Sequence, residues 1–264
     1  MKSDYLNVCI LQTDMKNQSA EQNLMHYTTL LSRLDTQPDL LIFPEMFNTG
    51  FVVNTVLQAE RIEGKSVEFL KQCAKKYQTA VVASLAIKEN RHYYNSLFWV
   101  LPNGEFYRYD KRHLFKMSSE EQLFTQGNQR IIVEYKGWRF LPLICYDLRF
   151  PVWSRNVRTD DEFLYDCLLY ISNWPHSRMP VYKTLLSARA IENQSFAISA
   201  NRVGYDGNGT YHSGGSRVVN PFGLVLTEAN DKEGIIKVVL SKEVLHKHRE
   251  EFPVSLDWDP IQRY

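Results

Sequence analysis

The chain has 264 residues, of which 44% are hydrophobic and 23% are charged, and its formal net charge is +1 at pH 7. These values are typical of a globular protein with a large buried core. Because the net charge is near zero and the basic residues are not clustered, we expect no nucleic-acid partner. The apolar runs have the length of strands, far below the roughly 20 residues that cross a bilayer, so we also expect no membrane association.

Twelve segments have the composition of β-strands, because they are rich in Val, Ile, Leu, Tyr and Phe and are bounded by Gly, Pro, Asn or Asp. These segments are Tyr5–Leu11, Leu40–Phe43, Ala80–Ile87, Tyr94–Leu101, Glu105–Tyr109, Arg130–Glu134, Arg139–Ile144, Phe163–Ile171, Phe196–Asn201, Ser216–Val219, Leu224–Glu228 and Gly234–Leu240. Pro102-Asn103-Gly104 predicts a tight hairpin turn between the fourth and fifth strands, and Pro221-Phe222-Gly223 predicts another between the tenth and eleventh.

Four segments carry apolar residues at helical spacing or the charge pattern of a surface helix. These are Ser19–Leu34, Ser66–Lys76, Pro180–Asn193 and Lys242–Glu251. Ser19 and Gln22 have the spacing of a capping box, and Ser66 is predicted to be the N-cap of the second helix. Hairpins and helical crossovers are thus mixed, which predicts an α+β protein whose sheets contain parallel and antiparallel strands. We find no repeat or linker, and we expect residues 1–264 to form a single domain.

The cysteines are widely spaced and form no CxxC pair, which predicts free thiols in a cytoplasmic protein. The chain runs from Met1 straight into a strand pattern without the layout of a signal peptide. No metal-binding motif is present, and we expect neither a metal nor another cofactor. Three of the thiols are expected to be core or helix-face residues, namely Cys9, Cys73 and Cys167.

Reactive side chains follow three of the predicted strands. Glu45 follows Leu40–Pro44, Lys111 follows Tyr109-Asp110, and Cys145 ends the apolar run that begins at Trp138. A thiol at the mouth of a buried strand, followed at once by a turn, can be both rigid and accessible. Together the three can carry out acyl transfer, with a thiol nucleophile, a carboxylate base and an ammonium that stabilises the oxyanion. The backbone N–H of Tyr146 is a second candidate donor to that oxyanion.

Each of these residues also has a structural interpretation. A cysteine after an apolar strand is often a small buried hydrophobe, so Cys145 alone proves nothing. Glu45 can be a loop carboxylate or a helix cap. Lys111 lies between Asp110 and Arg112 and can belong to a solvated charge cluster.

Considered together, the three segments resemble the carbon–nitrogen hydrolase, or nitrilase, superfamily. The matching segments are Phe43-Pro44-Glu45, Lys111-Arg112-His113-Leu114-Phe115 and Cys145-Tyr146-Asp147-Leu148-Arg149-Phe150. The resemblance extends from Tyr5 to about Leu240 and includes Asn173-Trp174-Pro175, Ala188–Asn193, Asn201–Gly204 and Gly215–Pro221. It implies a single carbon–nitrogen hydrolase domain, folded as a four-layer α-β-β-α sandwich with the catalytic residues at one end of the sheets. It also implies no cofactor, and a homodimer formed through helices that follow Cys145 and the Asn173-Trp174-Pro175 region.

Within the family, the chain is most similar to ω-amidases, which hydrolyse the terminal amide of 2-oxo dicarboxylic acid monoamides through a cysteine thioester. The resemblance implies that Glu45 is the general base, Lys111 the oxyanion stabiliser and Cys145 the nucleophile. A second glutamate of the family matches Glu120 by spacing, although the adjacent Glu121 remains an alternative. Tyr182 stands where relatives commonly have Trp, which leaves the exact wall of the pocket open.

Several other residues have one functional and one structural interpretation. Arg178 is a candidate clamp for a substrate carboxylate, because a guanidinium can bind a carboxylate through two hydrogen bonds. The alternative is that Arg178 is an ordinary surface arginine. Candidate pocket residues are Phe47, Phe115 and Trp174, for which core packing is the alternative. Three residues are expected to be mainly structural, with Arg149 anchoring the turn after the nucleophile and Arg189 pairing with Glu192 along a helix. His113 is expected to hydrogen-bond within the lysine segment.

Three rival functions remain at this level. The first is another hydrolase of the same family, such as a nitrilase or an N-carbamoyl amine amidohydrolase. The second is a non-catalytic scaffold, which the presence of all three catalytic residue types disfavours. The third is a papain-like peptidase, which is disfavoured because no histidine and asparagine follow a cysteine in the required order.

Overall fold

A computed structural model describes residues 3–16, 19–51, 55–118, 120–160 and 162–259. These residues contain sixteen strands. The strands are β1 (Tyr5–Gln12), β2 (Leu40–Ile42), β3 (Ala80–Glu89), β4 (His92–Val100), β5 (Phe106–Asp110), β6 (Val133–Tyr135), β7 (Trp138–Ile144), β8 (Arg158–Thr159), β9 (Glu162–Phe163), β10 (Cys167–Ile171), β11 (Phe196–Ala200), β12 (Val203–Tyr205), β13 (Tyr211–Ser213), β14 (Arg217–Val219), β15 (Val225–Glu228) and β16 (Gly234–Ser241).

The same described residues contain six α-helices and four short 3₁₀-helices. The α-helices are α1 (Ala20–Leu31), α2 (Lys65–Tyr77), α3 (Glu120–Leu123), α4 (Pro151–Ser154), α5 (Met179–Glu192) and α6 (Lys242–Glu251). The 3₁₀-helices span Thr55–Gln58, Cys145–Arg149, His176–Arg178 and Val254–Asp257. None of the helices in the described part of the chain is long and apolar enough to cross a membrane.

Two six-stranded sheets form the centre of the molecule. The first has the order β16-β1-β2-β3-β4-β5 and the second the order β15-β14-β11-β10-β7-β6. Each sheet has three parallel strands in its interior, β1-β2-β3 in the first and β7-β10-β11 in the second, with antiparallel strands outside them. Because side chains alternate across a strand, each sheet can bury both of its faces.

The alternation divides the apolar residues of the first sheet between two cores. In β1 and β4, Val8, Ile10 and Trp99 face the second sheet, whereas Cys9 and Phe98 face the outer helices α1 and α2. Between the sheets, the Trp99 ring lies 4.8 Å from the ring of Phe140 on β7. Helix α5 packs on the other face of the second sheet through Tyr182, Leu186 and Ala190. The result is the expected four-layer α-β-β-α sandwich.

All twelve predicted strands are present, with ends that differ by a few residues. The largest difference is in Phe163–Ile171, where β9 ends at Phe163 and β10 starts only at Cys167. Both predicted turns are also present, with Gly104 at φ 89° and Gly223 at φ 85°, in the left-handed region that favours glycine. The β8–β9 and β12–β13 hairpins were not predicted.

The four predicted helices are also found, with one correction at a cap. Ser19 Oγ accepts from the backbone N–H of Gln22, as expected for an N-cap. Ser66 is not an N-cap, because α2 starts at Lys65 and Gly64 takes the cap position. Ser66 lies inside the first turn, where its N–H and Oγ–H both donate to the Glu60 carboxylate at 2.9 and 2.5 Å. A carboxylate from the preceding segment therefore replaces the side-chain cap.

Helix α6 connects the two sheets, because it follows β16 of the first and packs against the second. Arg249 of α6 donates to Asp166 Oδ1 at 3.1 Å, to the carbonyl of Tyr165 at 2.9 Å and to the carbonyl of Gln194 at 2.9 Å. Burial lowers the pKa of Arg249 to about 10, and the charge of Asp166 opposes that decrease.

We predict that Arg249→Met lowers the free energy of unfolding by about 3 kcal/mol, because it leaves the Asp166 carboxylate buried without its guanidinium. Urea denaturation of both proteins measures the difference. Lys247→Met on the same helix is the control, since the Lys247 side chain is 64% exposed and pairs only loosely with Glu251, so a change below about 0.5 kcal/mol is expected. Equal effects of the two substitutions would contradict this role of Arg249.

Candidate active site

Three reactive side chains follow the carboxyl ends of strands, and a fourth, at the start of a helix, joins them. Glu45 lies three residues after β2, Lys111 directly follows β5, Cys145 directly follows β7, and Glu120 begins α3. They line a single cavity of about 400 Å³, a volume that includes its opening to solvent. The other lining residues are Phe51, Phe115, Tyr146, Arg149, Asn173, Trp174, Pro175 and Arg178.

The Lys111 ammonium is buried between two carboxylates. Its Nζ lies 2.9 Å from Glu45 Oε1, 2.8 Å from Glu120 Oε1 and 3.0 Å from Glu120 Oε2. Both Glu120 oxygens can share one bifurcated N–H, which leaves a third N–H for another acceptor. Glu120 is therefore the glutamate at the lysine. Glu121 is exposed, and its carboxylate lies 3.8 Å from Lys116 instead.

The Glu45 carboxylate is held by the surrounding chain. Asn95, in the middle of β4, donates its side-chain N–H to Glu45 Oε1 at 2.8 Å. The backbone N–H of Asn173 donates to Oε2 at 2.8 Å, and its side-chain N–H donates to the backbone carbonyl of Glu45 at 2.7 Å. Since both oxygens have partners, the carboxylate has a fixed orientation before any ligand binds.

Cys145 lies at a sharp turn from strand to 3₁₀-helix. Its φ of 41° is in the left-handed region, which costs a non-glycine residue free energy and needs support from its surroundings. The turn places Cys145 and Tyr146 in the first turn of the helix, where backbone N–H groups have no partner within the helix. The N–H of Tyr146 therefore has no acceptor within this helix.

The buried Asp147 carboxylate supports this turn. Asp147 Oδ2 accepts from the backbone N–H of Ile144 at 3.0 Å and from the hydroxyl of Tyr109 at 2.7 Å. Its Oδ1 accepts from the backbone N–H of His113 at 3.0 Å and lies 2.7 Å from His113 Nδ1. Asp147 therefore joins the turn at Cys145 to the segment that carries Lys111. His113 hydrogen-bonds to this turn rather than within its own segment.

The electrostatics favour a neutral thiol and a charged lysine. Burial raises the pKa of Cys145 well above its ordinary value, and the Glu45 carboxylate raises it further, against Lys111 and the Asn173 N–H. Burial opposes the charge of Lys111, but the carboxylates of Glu120 and Glu45 outweigh it and raise its pKa. Burial also raises the pKa of Glu120, and Lys111 opposes that increase.

The upper walls of the cavity are aromatic. The Phe115 and Tyr146 rings meet edge to face with centroids 5.0 Å apart. Trp174 donates its indole N–H to the backbone carbonyl of Arg178 at 2.9 Å, which supplies the partner that a buried indole needs. The Arg178 guanidinium lies 5.1 Å from the centre of the Phe115 ring. Three of the residues predicted to bind substrate, Phe115, Trp174 and Arg178, therefore line the cavity.

Phe47 is the one predicted pocket residue that the structure does not bring to the cavity. It is fully buried and packs against Phe43, Tyr27 and Phe69 in the core beneath α1 and α2. The chain turns over Met46–Gly50, so the aromatic side chain that reaches the cavity is Phe51.

The arginine that anchors the turn after Cys145 is Arg189, not Arg149. Arg189 donates through Nε and Nη2 to the carbonyl of Leu148 at 3.1 and 2.9 Å, and it forms the predicted pair with Glu192 at 2.8 Å. The Arg149 guanidinium instead lies over the Trp174 ring, 5.0 Å from its centre.

Known proteins are similar to this chain over nearly its full length. Residues 7–249 match the profile of the carbon-nitrogen hydrolase family. The chain belongs to the carbon–nitrogen hydrolase family. It is 39% identical to an omega-amidase, YafV, of Escherichia coli K12 over 97% of this chain and 98% of that protein. It is 30% identical to a 2-oxoglutaramate amidase of Bacillus subtilis over 95% of this chain and 96% of that protein.

A solved structure has nearly the same fold. XC1258 from Xanthomonas campestris, a CN-hydrolase superfamily protein with an arsenic adduct in its active site, aligns with a TM-score of 0.97. The two chains are 35% identical, and the match covers 99% of this chain and 100% of that one. Membership of the family and the four-layer fold are therefore both established.

Besides Phe51, the sequence analysis missed two partners of Glu45 in this carbon–nitrogen hydrolase site, Asn95 and Asn173. Asn95 is a polar residue within an apolar strand, and only its burial next to Glu45 and Glu120 reveals its role. Asn173 was noted as part of a family segment but not as a partner of Glu45. Among the described residues, no group of three or more His, Cys, Asp or Glu side chains is arranged to hold a metal ion.

We predict that Glu45→Gln makes Cys145 more reactive toward iodoacetamide at pH 8. The Glu45 charge raises the pKa of the thiol, so its removal lowers that pKa and increases the thiolate fraction. The second-order labelling rate, measured from pH 6 to 10, should rise at lower pH in the variant than in the wild type. Glu121→Gln is the control and should leave the profile unchanged. A shift of the Glu45→Gln profile to higher pH would contradict the electrostatic argument.

Proposed function

We propose that this protein is an ω-amidase that hydrolyses the terminal amide of 2-oxo dicarboxylic acid monoamides, such as 2-oxoglutaramate and 2-oxosuccinamate. The products are the 2-oxo acid and ammonia. The observation that carries this proposal is the similarity of the chain, over nearly its full length, to an omega-amidase and a 2-oxoglutaramate amidase. The cavity supports it, because it is lined by Glu45, Lys111, Glu120 and Cys145.

In the first half of the proposed mechanism, Cys145 attacks the amide carbon. Because the thiol is neutral at rest, its proton passes to Glu45 as the C–S bond forms. The negative charge that develops on the amide oxygen is stabilised by Lys111 Nζ and the backbone N–H of Tyr146. Collapse of the tetrahedral intermediate breaks the C–N bond, Glu45 gives its proton to the leaving nitrogen, and ammonia departs from a thioester.

In the second half, water replaces the amine. Glu45 removes a proton from the water as the hydroxide oxygen bonds to the thioester carbon, and the same two donors stabilise the new oxyanion. The C–S bond then breaks, the carboxylic acid product leaves, and Glu45 returns the proton to the Cys145 sulfur. Glu120 acts through Lys111, because its carboxylate keeps the ammonium charged and in place.

The opening of the cavity supports an anionic substrate. Arg178 forms no ion pair among the described residues, and its guanidinium is held against Phe115 and partly removed from water. A 2-oxo acid carboxylate entering beside it would supply the missing counter-charge. We therefore propose Phe115, Trp174 and Arg178 as substrate-binding residues.

We predict that wild-type protein releases ammonia from 2-oxoglutaramate and 2-oxosuccinamate, and that Cys145→Ala reduces the rate by at least about 10³-fold because no thioester can form. A coupled ammonia assay measures both. Cys73→Ala, which removes a thiol from α2, is the control and should keep most of the activity. Equal rates for wild type and Cys145→Ala would refute the proposal and favour a non-catalytic scaffold. Faster turnover of a nitrile or an N-carbamoyl amine would assign the protein to another activity of the family.

We further propose that two copies of this single-domain chain form a dimer through α4 and α5. Apolar side chains on these two helices are exposed in the single chain, namely Val152, Val181 and Ile191 at 73%, 38% and 51%. Exposed apolar side chains concentrated on neighbouring helices are typical of an interface with another protein. A cytoplasmic location is consistent with the four free cysteines.

We predict that the wild type sediments at twice the mass of one chain and that Ile191→Asp shifts it toward the monomer, because a carboxylate would be buried in the interface. Sedimentation velocity measures the mass. Met25→Asp on α1 is the control, since Met25 is 63% exposed on the opposite outer layer and should leave the dimer intact. A wild-type monomer at micromolar concentration would refute the dimer.

A further inference from the structure

We propose that Asn95 is a positioning residue for Glu45, and that it determines which oxygen of this carboxylate takes the proton of Cys145. Together with Lys111, Asn95 occupies Oε1, so that Oε2 is left to accept the proton. This role of Asn95 rests on the proposed mechanism, in which Glu45 takes the thiol proton, but not on which amide is the substrate.

Asn95 is a polar residue on the face of β4 that points between the two sheets. Leu97 and Trp99, at alternate positions of the same strand, belong to the apolar core between the sheets. The Asn95 side chain continues this face into the active site and is fully buried. Its backbone carbonyl accepts from the backbone N–H of Lys111 at 2.9 Å, which ties the strand to the lysine segment.

The Asn95 amide serves the carboxylates rather than its own hydrogen bonding. Its Nδ2 donates to Glu45 Oε1 at 2.8 Å and lies 3.5 Å from Glu120 Oε1. Its Oδ1 is buried without a hydrogen-bond partner among the described residues. An apolar side chain at this position would avoid the cost of that oxygen. The amide cannot be turned over either, because its oxygen would then face two carboxylates.

The two oxygens of the Glu45 carboxylate differ in their donors. Oε1 accepts from Lys111 Nζ at 2.9 Å and from Asn95 Nδ2 at 2.8 Å. In the described part of the chain, Oε2 accepts only from the backbone N–H of Asn173, at 2.8 Å. A carboxylate oxygen has about two acceptor sites, so Oε1 is filled and Oε2 has one left. A proton on Oε1 would displace a donor, whereas a proton on Oε2 displaces none.

Oε2 is also the oxygen on the side of the sulfur. Burial and the Glu45 carboxylate raise the pKa of the Cys145 thiol, and a hydrogen bond from the Asn173 N–H opposes that increase. This is the same N–H that donates to Oε2, so it links the carboxylate oxygen to the sulfur. During attack the S–H bond breaks, its electron pair stays on sulfur, and the proton bonds to Oε2.

Loss of Asn95 should change two reactions of Cys145 in opposite directions. The Asn95 N–H stabilises the charged form of the Glu45 carboxylate through a charge-assisted hydrogen bond. Without it, Glu45 would hold the thiol proton more often, and the sulfur would more often be a thiolate. Alkylation needs only the thiolate and should become faster. Amide hydrolysis needs a proton that is taken and returned at a fixed oxygen, and it should become slower.

The test is a double-mutant cycle on Asn95 and Glu45. The four proteins are the wild type, Asn95→Leu, Glu45→Gln and the double variant. The second-order rate of Cys145 alkylation by iodoacetamide is measured at pH 7, and kcat and KM are measured with 2-oxoglutaramate. Asn95→Leu keeps the size of the side chain and removes the donor. Asn95→Ser also removes the donor and replaces Asn95→Leu if leucine prevents folding.

With Glu45 present, Asn95→Leu should raise the alkylation rate about tenfold and lower kcat at least about tenfold, while KM changes less than about twofold. With Glu45→Gln, it should change the alkylation rate less than about twofold, because no carboxylate is left to act on. Ser96→Ala is the control and should leave both reactions unchanged. Ser96 is the next residue of β4, is buried, and donates to Asp110 on the other face of the strand.

An equal change of the alkylation rate with Glu45 and with Gln at that position would mean that Asn95 only supports the strand, and it would overturn the proposal. An alkylation rate that does not rise when Glu45 is present, or an unchanged kcat in an active enzyme, would also overturn it. Alkylation needs no amide, so it tests Asn95 even if 2-oxoglutaramate is not hydrolysed and the ω-amidase assignment fails. Ammonia release by an enzyme whose alkylation ignores Asn95 would retain that assignment and refute the role of Asn95.

Discussion

The burial of the Lys111 ammonium between Glu45 and Glu120 is the interaction on which the site depends. An unpaired ammonium in this position would lose its charge, and an unpaired carboxylate would gain a proton, because burial disfavours both ions. Both carboxylates raise the pKa of Lys111, and Lys111 opposes the rise in the pKa of Glu120, only while the segments that follow β2 and β5 and helix α3 hold each carboxylate within 3 Å of Lys111 Nζ. The packing of both sheets therefore serves to maintain a network of charges that would not persist in a looser structure.

The protonated state of Cys145 follows from that network. In the proposed mechanism, Glu45 accepts the thiol proton during attack, and its carboxylate also raises the pKa of the thiol at rest. The nucleophile is thus formed only when a substrate carbonyl is positioned to receive it, and the resting sulfur is a poor target for adventitious electrophiles. Asp147 contributes by accepting from the backbone N–H of Ile144, which supports the left-handed backbone at Cys145.

The strands could be predicted because each is a short apolar run that is visible in the local sequence. The reactive residues Glu45, Lys111 and Cys145 could be predicted because each directly follows such a run or lies within a few residues of its end. Local patterns did not distinguish Phe47 from Phe51, since the turn at Met46–Gly50 decides which ring faces the cavity. The choice of Glu120 over Glu121 depends on which side of the short α3 faces Lys111. Asn95 and the Glu60 cap of α2 depend on contacts between distant segments, which no single stretch of sequence contains.

The pairing of β1 with β16 has a consequence for synthesis of the chain. Tyr5 lies opposite Ser241 and Gln12 opposite Gly234, so one edge of β1 is closed by β16, the last of the sixteen described strands in chain order. During translation that edge remains without its hydrogen-bonding neighbour until most of the polypeptide has left the ribosome. An uncovered strand edge can pair with another chain, so a nascent chain of this topology depends on rapid completion or on chaperone cover.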